Sequence, residues 1–454
     1  MFIVDPLFIY ISNRSGFMQQ VEIRHEPLFE TDWKAATGAI QTGVDRIAAA
    51  GGGRVSVMPG NYLVGAIQLK TGVQLDLVEG TGLIACEQGD YPAPSWKRVI
   101  WADTATDVAL TGTGTIDCRG RFEQREAPPP PPLLATTYVG GYYRNLDSPR
   151  PVFFHGCRQV RVEGVRLANS GEWGCYLLCC DQVLIDGVTI RHTAHSTWSD
   201  GIDLESCRHV VVQNCDVQTG DDAISIKTAK RGRQQTSHNI LIRDCTLASE
   251  TNGIKFGCEL GLDLSNVRVE HCLIRSHPDR EAAGPFGGIA VQSVDGADVS
   301  NLHFSHIRIE DARAPIFLKL GRGGSYREHV TSLSALRNIT LEHITARVTG
   351  AKEQPGITSS ITGYQGYCIE NVVLRDIDLE VPGGELPAGG PVPDVVDRYL
   401  ETPDLGVLPA YGLYARFVRN LTLERVRFRT CHADSRPPIC LDSVAGVTDY
   451  PCSS

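Results

Sequence analysis

The stretch SDGIDLESCRHVVVQNCDVQTGDDAISIK, residues 199–227, decides the fold. It opens with a short alternating segment, Gly201-Ile202-Asp203-Leu204, and closes with another, Ala223-Ile224-Ser225-Ile226. Between them stand Val210, Val212, Cys215 and Val217, two apolar pairs separated by the polar pair Gln213-Asn214. Alternation with a period of two is the mark of a strand with one buried face, and a polar pair with a turn-forming residue ends such a strand. The stretch therefore reads as short strand, turn, short strand, turn, short strand, with no helical period.

Working outward, the central pattern recurs along the chain. It appears as Val160-Val162-Val165-Leu167, Val183-Ile185-Val188-Ile190, Val210-Val212-Cys215-Val217, Ile240-Ile242-Cys245-Leu247 and Val267-Val269-Cys272-Ile274. Leu302-Phe304-Ile307-Ile309, Ile339-Leu341-Ile344-Ala346, Val372-Leu374-Ile377-Leu379 and Leu421-Leu423-Val426-Phe428 complete nine copies. Early copies start 23 to 30 residues apart, and later ones are stretched by insertions. Short segments such as Gly253-Ile254-Lys255-Phe256 and Gly288-Ile289-Ala290-Val291 precede the copies, as Gly201–Leu204 does. Three short strands per turn of about 25 residues is the requirement of a parallel β-helix; a leucine-rich horseshoe would add helix periodicity, and a propeller would repeat at about 40 residues or more. Cys215, Cys245 and Cys272 share one column of the repeat, which makes them small apolar residues stacked inward in a reduced protein. Asp32 to Ala50 reads as a helix with Ile40, Val44 and Ile47 on one face and Gly51-Gly52-Gly53 as its stop, suited to capping the first coil. The whole of 1–454 is expected to be a single domain, with 1–52 as an N-terminal strand and cap. Inserted loops near the groove are expected at 119–150, which holds Pro128 to Pro132, and at 381–412.

The 454 residues carry 43 basic and 53 acidic side chains, a formal charge of −10, with 42% hydrophobic residues. That balance provides a core and argues against a nucleic-acid partner, which needs a basic surface. No apolar run approaches the roughly 20 residues of a membrane span. The apolar start MFIVDPLFIYI lacks a basic beginning and is interrupted by Asp5 and Pro6, so it reads as a strand or cap, and the expected location is cytoplasmic unless an upstream signal was removed. The spacing of the 15 cysteines offers no paired CxxC for zinc. Neither a cofactor nor a metal is expected, and the sequence is silent on oligomeric state.

In-register coils put Trp173, Asp200, Asp222, Asn252 and Gly287 in one column, the residue before each Gly-Ile or Ala-Ile pair and, for Trp173, before Gly174-Cys175. Coils stack about 4.8 Å apart, so Asp200 and Asp222 are expected as neighbours, with Asp221 beside them. Three acids so close raise at least one pKa, which suits a site needing a protonated acid and an ionised base together. The alternatives are a calcium site or a solvated turn rich in Asp.

SDGID at 199–203 and TGDDAISIK at 219–227, with the GDD pair beginning 21 positions after the first Asp, resemble the NTDGID and GDD motifs of glycoside hydrolase family 28, the polygalacturonases. GGGRVSVMPGNYLVGAIQLKTGVQLDL at 51–77 and LPAYGLYARFVRNLTLERV at 408–426 extend the resemblance over nearly the whole chain. The resemblance implies an all-β, right-handed parallel β-helix that hydrolyses pectic polysaccharide with inversion. Asp221 would be the general acid, while Asp200 and Asp222 would activate the attacking water. Coil spacing by itself sits near the roughly 5–5.5 Å of retaining pairs rather than the about 6.5–9.5 Å of inverting ones, but side chains can fan outward.

Two motifs of the family are missing. Thr251-Asn252-Gly253 stands where the resemblance places GHG, and Ala290-Val291-Gln292 where it places RIK. By the resemblance those basic residues hold the galacturonate carboxylate, so losing Arg and Lys removes charge-assisted contacts that favour an acidic sugar. Asn252, Lys255, Trp198, Asp203, Lys319 and Arg322 are the candidates for binding substrate in their stead. Asn252 suits a neutral sugar hydroxyl. Lys255 stands beside the acids, with Asp203 as its only evident acidic partner, and Lys227 reads as an ion-pair partner of Glu205. Trp198, after His192 and His195, suits either stacking on a sugar or ordinary packing. Tyr138, Tyr142, Tyr143 and Arg144 in the first insertion suit a wall at one end of the groove, and hence action on chain ends. The expected activity is an inverting hydrolase of pectin-derived or related plant oligosaccharides, of galacturonan or rhamnogalacturonan type. The rivals are a β-helix lyase and a non-catalytic glycan-binding β-helix.

Overall fold

The computed structural model describes residues 19–87, 89–91, 97–124, 143–145, 148–195, 198–228, 235–279, 286–323, 334–348, 356–384, 391–396 and 401–448. The chain is a right-handed parallel β-helix. Three stacks of parallel strands run along it. In the middle coils one stack holds Cys175–Leu178, Ile202–Glu205 and Ile224–Thr228. The second holds Asp181–Asp186, Arg208–Gln213 and Ser237–Arg243, and the third Thr189–Arg191, Asp216–Gln218 and Thr246–Ser249.

All nine copies of the repeat pair in the expected register. Val160 lies opposite Val183, Val183 opposite Val210, Val210 opposite Ile240 and Ile240 opposite Val267. The series continues through Leu302, Ile339, Val372 and Leu421. The coils extend further toward the N-terminus than the copies do. Val160 also pairs with Val108 and Leu167 with Ile116, so a coil precedes the first copy. Seven positions separate Val160 from Leu167 but eight separate Val108 from Ile116, and that extra residue throws the period out of step. In later coils two short strands fuse: Asp298–Glu310 pairs with both Leu264–Glu270 and Leu273–Ser276. The bend survives there in one residue, His306, at φ 54°.

That left-handed position explains the polar pairs. Gly164, Gly187, Asn214, Asp244, His271 and His306 all carry positive φ at the same turn, where Gly, Asn, Asp and His are the residues that tolerate it. The interior is one continuous apolar column in which Val165, Val188, Cys215, Cys245, Cys272 and Ile307 succeed one another. A second cysteine stack, Cys157, Cys180 and Cys207, is buried in the same core. Every cysteine among the described residues is a free thiol.

The helix Trp33–Ala49 closes the N-terminal end, with the Asp32 carboxylate accepting from the Lys34 and Ala35 amides. Ile40, Val44 and Ile47 are buried on its inner face, as their spacing predicts. Gly53 follows at φ 150°, where a Cβ would stand 2.2 Å from the Gln19 carbonyl oxygen. The apolar start at 1–18 lies outside the described residues. So do Pro128–Pro132, Tyr138 and Tyr142, while Tyr143–Asn145 pairs antiparallel with Phe122–Gln124, apart from the main sheet. From the second insertion, Leu405 and Leu408 pack with Val392 and Val395 on Ala290, Phe317 and Tyr414. No helix among the described residues is long and apolar enough to cross a membrane.

Candidate active site

The outward positions of the first strand stack form the floor of the site. Tyr176, Asp203, Ser225, Lys255, Ala290, Phe317, Ser360 and Tyr414 follow one another in register. Just before these strands the backbone turns outward. The Gly201 amide donates to the Asp222 carbonyl and the Ala223 amide to the Asn252 carbonyl, which puts Asp200, Asp222 and Asn252 in one column. The small residue that follows each of them is a packing requirement: a Cβ on Gly201 would lie 2.5 Å from the Ala223 carbonyl oxygen.

The structure brings the three predicted acids together. Asp221 Oδ2 accepts from the Trp198 amide at 3.0 Å, and its Oδ1 from the Asp222 amide at 3.0 Å. Thr251 Oγ1 lies 2.9 Å from Asp221 Oδ1 and 2.8 Å from Asp222 Oδ1. One hydroxyl holds one proton and can donate to only one of the two carboxyls. Both contacts are satisfied when the other carboxyl is protonated and donates to the hydroxyl oxygen. Burial, then the charges of Asp200 and Asp222, hold Asp221 well above the usual carboxylate range. Burial also raises Asp222, but Lys255, Asn252 and Thr251 pull against it. The two neighbours are thereby unequal, which is what an acid and a base working at one pH require.

Asn252 is fully buried and its amide nitrogen donates to Asp222 Oδ1 at 2.8 Å, so it acts on a carboxylate rather than reaching into the groove. Lys227 takes a different partner from the one its register suggests. Its Nζ donates to Asp203 Oδ1 at 2.7 Å and Asp200 Oδ2 at 3.0 Å, reaching back across the coil, while Glu205 accepts from the Tyr176 hydroxyl at 2.6 Å. Burial opposes the Lys227 charge, yet Asp200, Asp203 and Glu259 together hold it well above an ordinary lysine. The same ammonium sits 3.7 Å from the centre of the Trp173 ring. Asp203, wholly buried, is pushed well up by burial and by Asp200, against the pull of Lys227.

Lys255 is engaged by a residue no local pattern signals: its Nζ donates to Glu401 Oε1 at 3.0 Å, across 146 residues of sequence. Burial and the nearby Asp222 outweigh Lys255 and raise Glu401 to about 7. Trp198 is 65% exposed beside Asp221, so its ring is a surface feature and not packing. His192 is buried, accepts from the Ser170 amide at 3.2 Å, and is driven down to about 3 by burial; it belongs to the scaffold. Lys319 and Arg322 are not gathered with the acids. Lys319 lies two coils beyond Lys255, roughly 10 Å along the axis. Burial lowers it to about 8, with Asp394 opposing. Arg322 is exposed just past that strand, its amide bonded to the Val396 carbonyl. Among the described residues, no group of three His, Cys, Asp or Glu side chains is arranged to hold a metal ion.

Thr251 and Glu401 are the members of this constellation that sequence reasoning missed. Thr251 was in view as the flank of the altered GHG position, and its side chain could have been read as a proton-bearing neighbour of GDD. Nothing nearby marks Glu401.

Comparison with known proteins gives a consistent result. A family model described as glycosyl hydrolases family 28 matches residues 52–388. A probable polygalacturonase of Arabidopsis thaliana is 28% identical over 52% of this chain and 51% of its own length. A polygalacturonase of Chamaecyparis obtusa is 26% identical over 66% of this chain and 54% of its own. The chain thus spans about half the length of these two curated relatives. Among solved structures, a family 28 exopolygalacturonase of Yersinia enterocolitica aligns over 95% of this chain and 78% of its own, at 18% identity and a TM-score of 0.67. The polygalacturonase of Erwinia carotovora aligns over 79% and 92%, at 20% identity and a TM-score of 0.60. At these identities the structural likeness speaks for the fold.

Proposed function

The chain belongs to glycosyl hydrolases family 28, and on that premise we propose that its groove hydrolyses a glycosidic bond in pectin-derived or related plant oligosaccharides, with inversion. The observation that carries the hydrolytic part of the reading is the Thr251 hydroxyl set between two unequal carboxyls, while inversion rests on the resemblance to the family. Asp221 gives its proton to the glycosidic oxygen as the C–O bond breaks. A water attacks the anomeric carbon from the opposite face and loses its proton to Asp222 or Asp200. From Asp222, the Thr251 hydroxyl then offers a path by which that proton returns to Asp221. Lys227 stands as the counter-ion of Asp200 throughout, and the exposed Trp198 ring supplies a stacking surface for a sugar.

The names of the curated relatives support a pectic substrate. Action on chain ends gains support from the second insertion, which lies over the floor at Ala290, Phe317 and Tyr414, directly beyond Lys255. The test is product release from oligogalacturonides, rhamnogalacturonan fragments and neutral arabinan and galactan pieces, followed by chromatography and proton NMR. The expected result is a released sugar of inverted anomeric configuration and loss of turnover in Asp221→Asn. An unsaturated product would mean a lyase, and binding without turnover a glycan-binding module. A substrate blocked at its chain end, cleaved as fast as the open one, would sink the exo-acting reading.

A further inference from the structure

The charge around the acids bears on which sugar stands there, and this inference rests on the hydrolase reading above. Lys255 occupies the outward column between Ser225 and Ala290, beside Asp222 and Asn252. It is 1% exposed and 3.0 Å from Glu401. Glu401 is anchored there and is no passing surface carboxylate. Its amide donates to Asp404 Oδ2 at 2.8 Å, the Thr402 hydroxyl donates to the Phe286 carbonyl at 3.2 Å, and Leu405 and Leu408 are buried against Ala290 and Phe317. Lys227, the second lysine that the described residues place at the site, is held by Asp200 and Asp203.

Both ammonium groups are thus matched by carboxylates within the site. Among the described residues, Asp200, Asp203, Asp222 and Glu401 stand around these two lysines. A uronate entering here would add one more anion in a water-poor setting, where repulsion is weakly screened. Nor is it received at the positions where the resemblance places Arg and Lys: Ala290 is buried under the insertion and Gln292 is a neutral amide. We propose that Glu401 is a specificity-determining residue: by neutralising Lys255 it makes the site select a neutral glycosyl unit over a uronate at the bond being cleaved. The insertion supplies the device, and the coil beneath it supplies the lysine that would otherwise receive a carboxylate.

The test uses matched oligosaccharide pairs that differ only in whether the uronate at the cleaved bond is intact or reduced to the neutral hexose. The ratio of kcat/KM for the pair is measured in the full-length chain, in Glu401→Gln and in Glu401→Gln combined with Lys255→Met. The parent favours the neutral partner. Uncovering Lys255 in Glu401→Gln moves the ratio toward the uronate by roughly tenfold to a hundredfold, the worth of one charge-assisted hydrogen bond. Adding Lys255→Met abolishes that gain. The ratio is read only in variants that melt as the parent does, so a general loss of structure is set aside before it is taken. Should Glu401→Gln fail to fold by thermal melting, Lys255→Met alone is read, and it moves the ratio further toward the neutral partner. The same ratio is read as calorimetric affinity in the Asp221→Asn background, so absence of turnover would overturn the hydrolase reading while binding still decides this one. Equal or tighter binding of the uronate partner, failure of the neutral partner to bind, or a ratio that Glu401→Gln leaves in place overturns the proposal.

Discussion

Two columns of stacked polar side chains run along the same solenoid and behave in opposite ways. On one exposed edge, Asn266 donates its amide to Asn239, Asn301 to Asn266, Asn338 to Asn301, Asn371 to Asn338 and Asn420 to Asn371, at 2.8–3.4 Å. On the groove side, Asp200, Asp222 and Asn252 stack in the same register, with Asp221 alongside. An amide carries a donor and an acceptor, so a stack of identical amides satisfies itself. An ionised carboxylate only accepts, so a stack of carboxylates repels unless cations, hydroxyls or protons are interposed. Repetition is therefore stabilising or costly according to the chemistry of the repeated group. In the groove, Lys227, Lys255, Thr251 and Asn252 are interposed among the acids.

The sharpest way to test this contrast is to make one acid resemble the ladder. Asp221→Asn is expected to lower kcat by about 10²–10⁴, the usual worth of a general acid, while raising stability by about 0.5–2 kcal/mol. The sign follows from the shift. Asp221 has its folded pKa raised, so the fold binds its proton more tightly than the unfolded chain does. Ionisation then weakens the fold as pH rises from the ordinary carboxylate value of about 4 toward the folded one. The stability gap between variant and parent should be small below about pH 4 and widen above it, as denaturant titrations across pH would record. An Asp221→Asn protein less stable than the parent at neutral pH would mean that the acids are not in mutual strain.

Removing an interposed cation should act the other way. Lys227→Met leaves Asp200 and Asp203 buried without their shared partner, and breaking such a pair costs roughly 3–5 kcal/mol. The loss should shrink as the pH falls, because Asp203, whose pKa is held up, takes up a proton. Adding Asp203→Asn should recover part of it. A Lys227→Met protein as stable as the parent at neutral pH would show that the column tolerates its own charge.

How far the sequence revealed all this depended on the range of each interaction. The nine copies and the Asp200–Asp222–Asn252 column were readable because stacking turns sequence period directly into spatial neighbourhood. The coil at Val108 was hidden by one extra residue, which shifts the period without disturbing the pairing. Register sets Lys227 opposite Glu205, yet a lysine side chain is long enough to reach the previous coil's Asp203 and Asp200 instead. Register locates Cα atoms and leaves a flexible terminus free to choose among carboxylates. Glu401 was beyond reading, because its contact with Lys255 crosses 146 residues and depends on how an insertion folds back. The asparagine ladder was legible in principle, since Asn precedes the first apolar residue of six copies, but its meaning needs the backbone. At Asn239, Asn266, Asn301, Asn338, Asn371 and Asn420 the φ angles are 57–59°, the left-handed region.

That double role makes the ladder the finest test of the comparison. Asn338 donates to Asn301 and accepts from Asn371 at φ 57°. Asn338→Ala removes both exposed hydrogen bonds and puts a side chain that favours other backbone angles into the left-handed region. Asn338→Gly removes the same bonds and relieves the backbone. The alanine variant is expected to lose about 1–2 kcal/mol by denaturant titration and the glycine variant roughly half of that, both with turnover unchanged. Equal losses would assign the ladder's worth to hydrogen bonding alone. A neutral glycine variant beside a destabilised alanine one would assign it to backbone conformation. In that case the asparagines recur because they tolerate the turn, the stacked amides add little, and the contrast with the acid column reduces to one between a tolerated repetition and a repelled one.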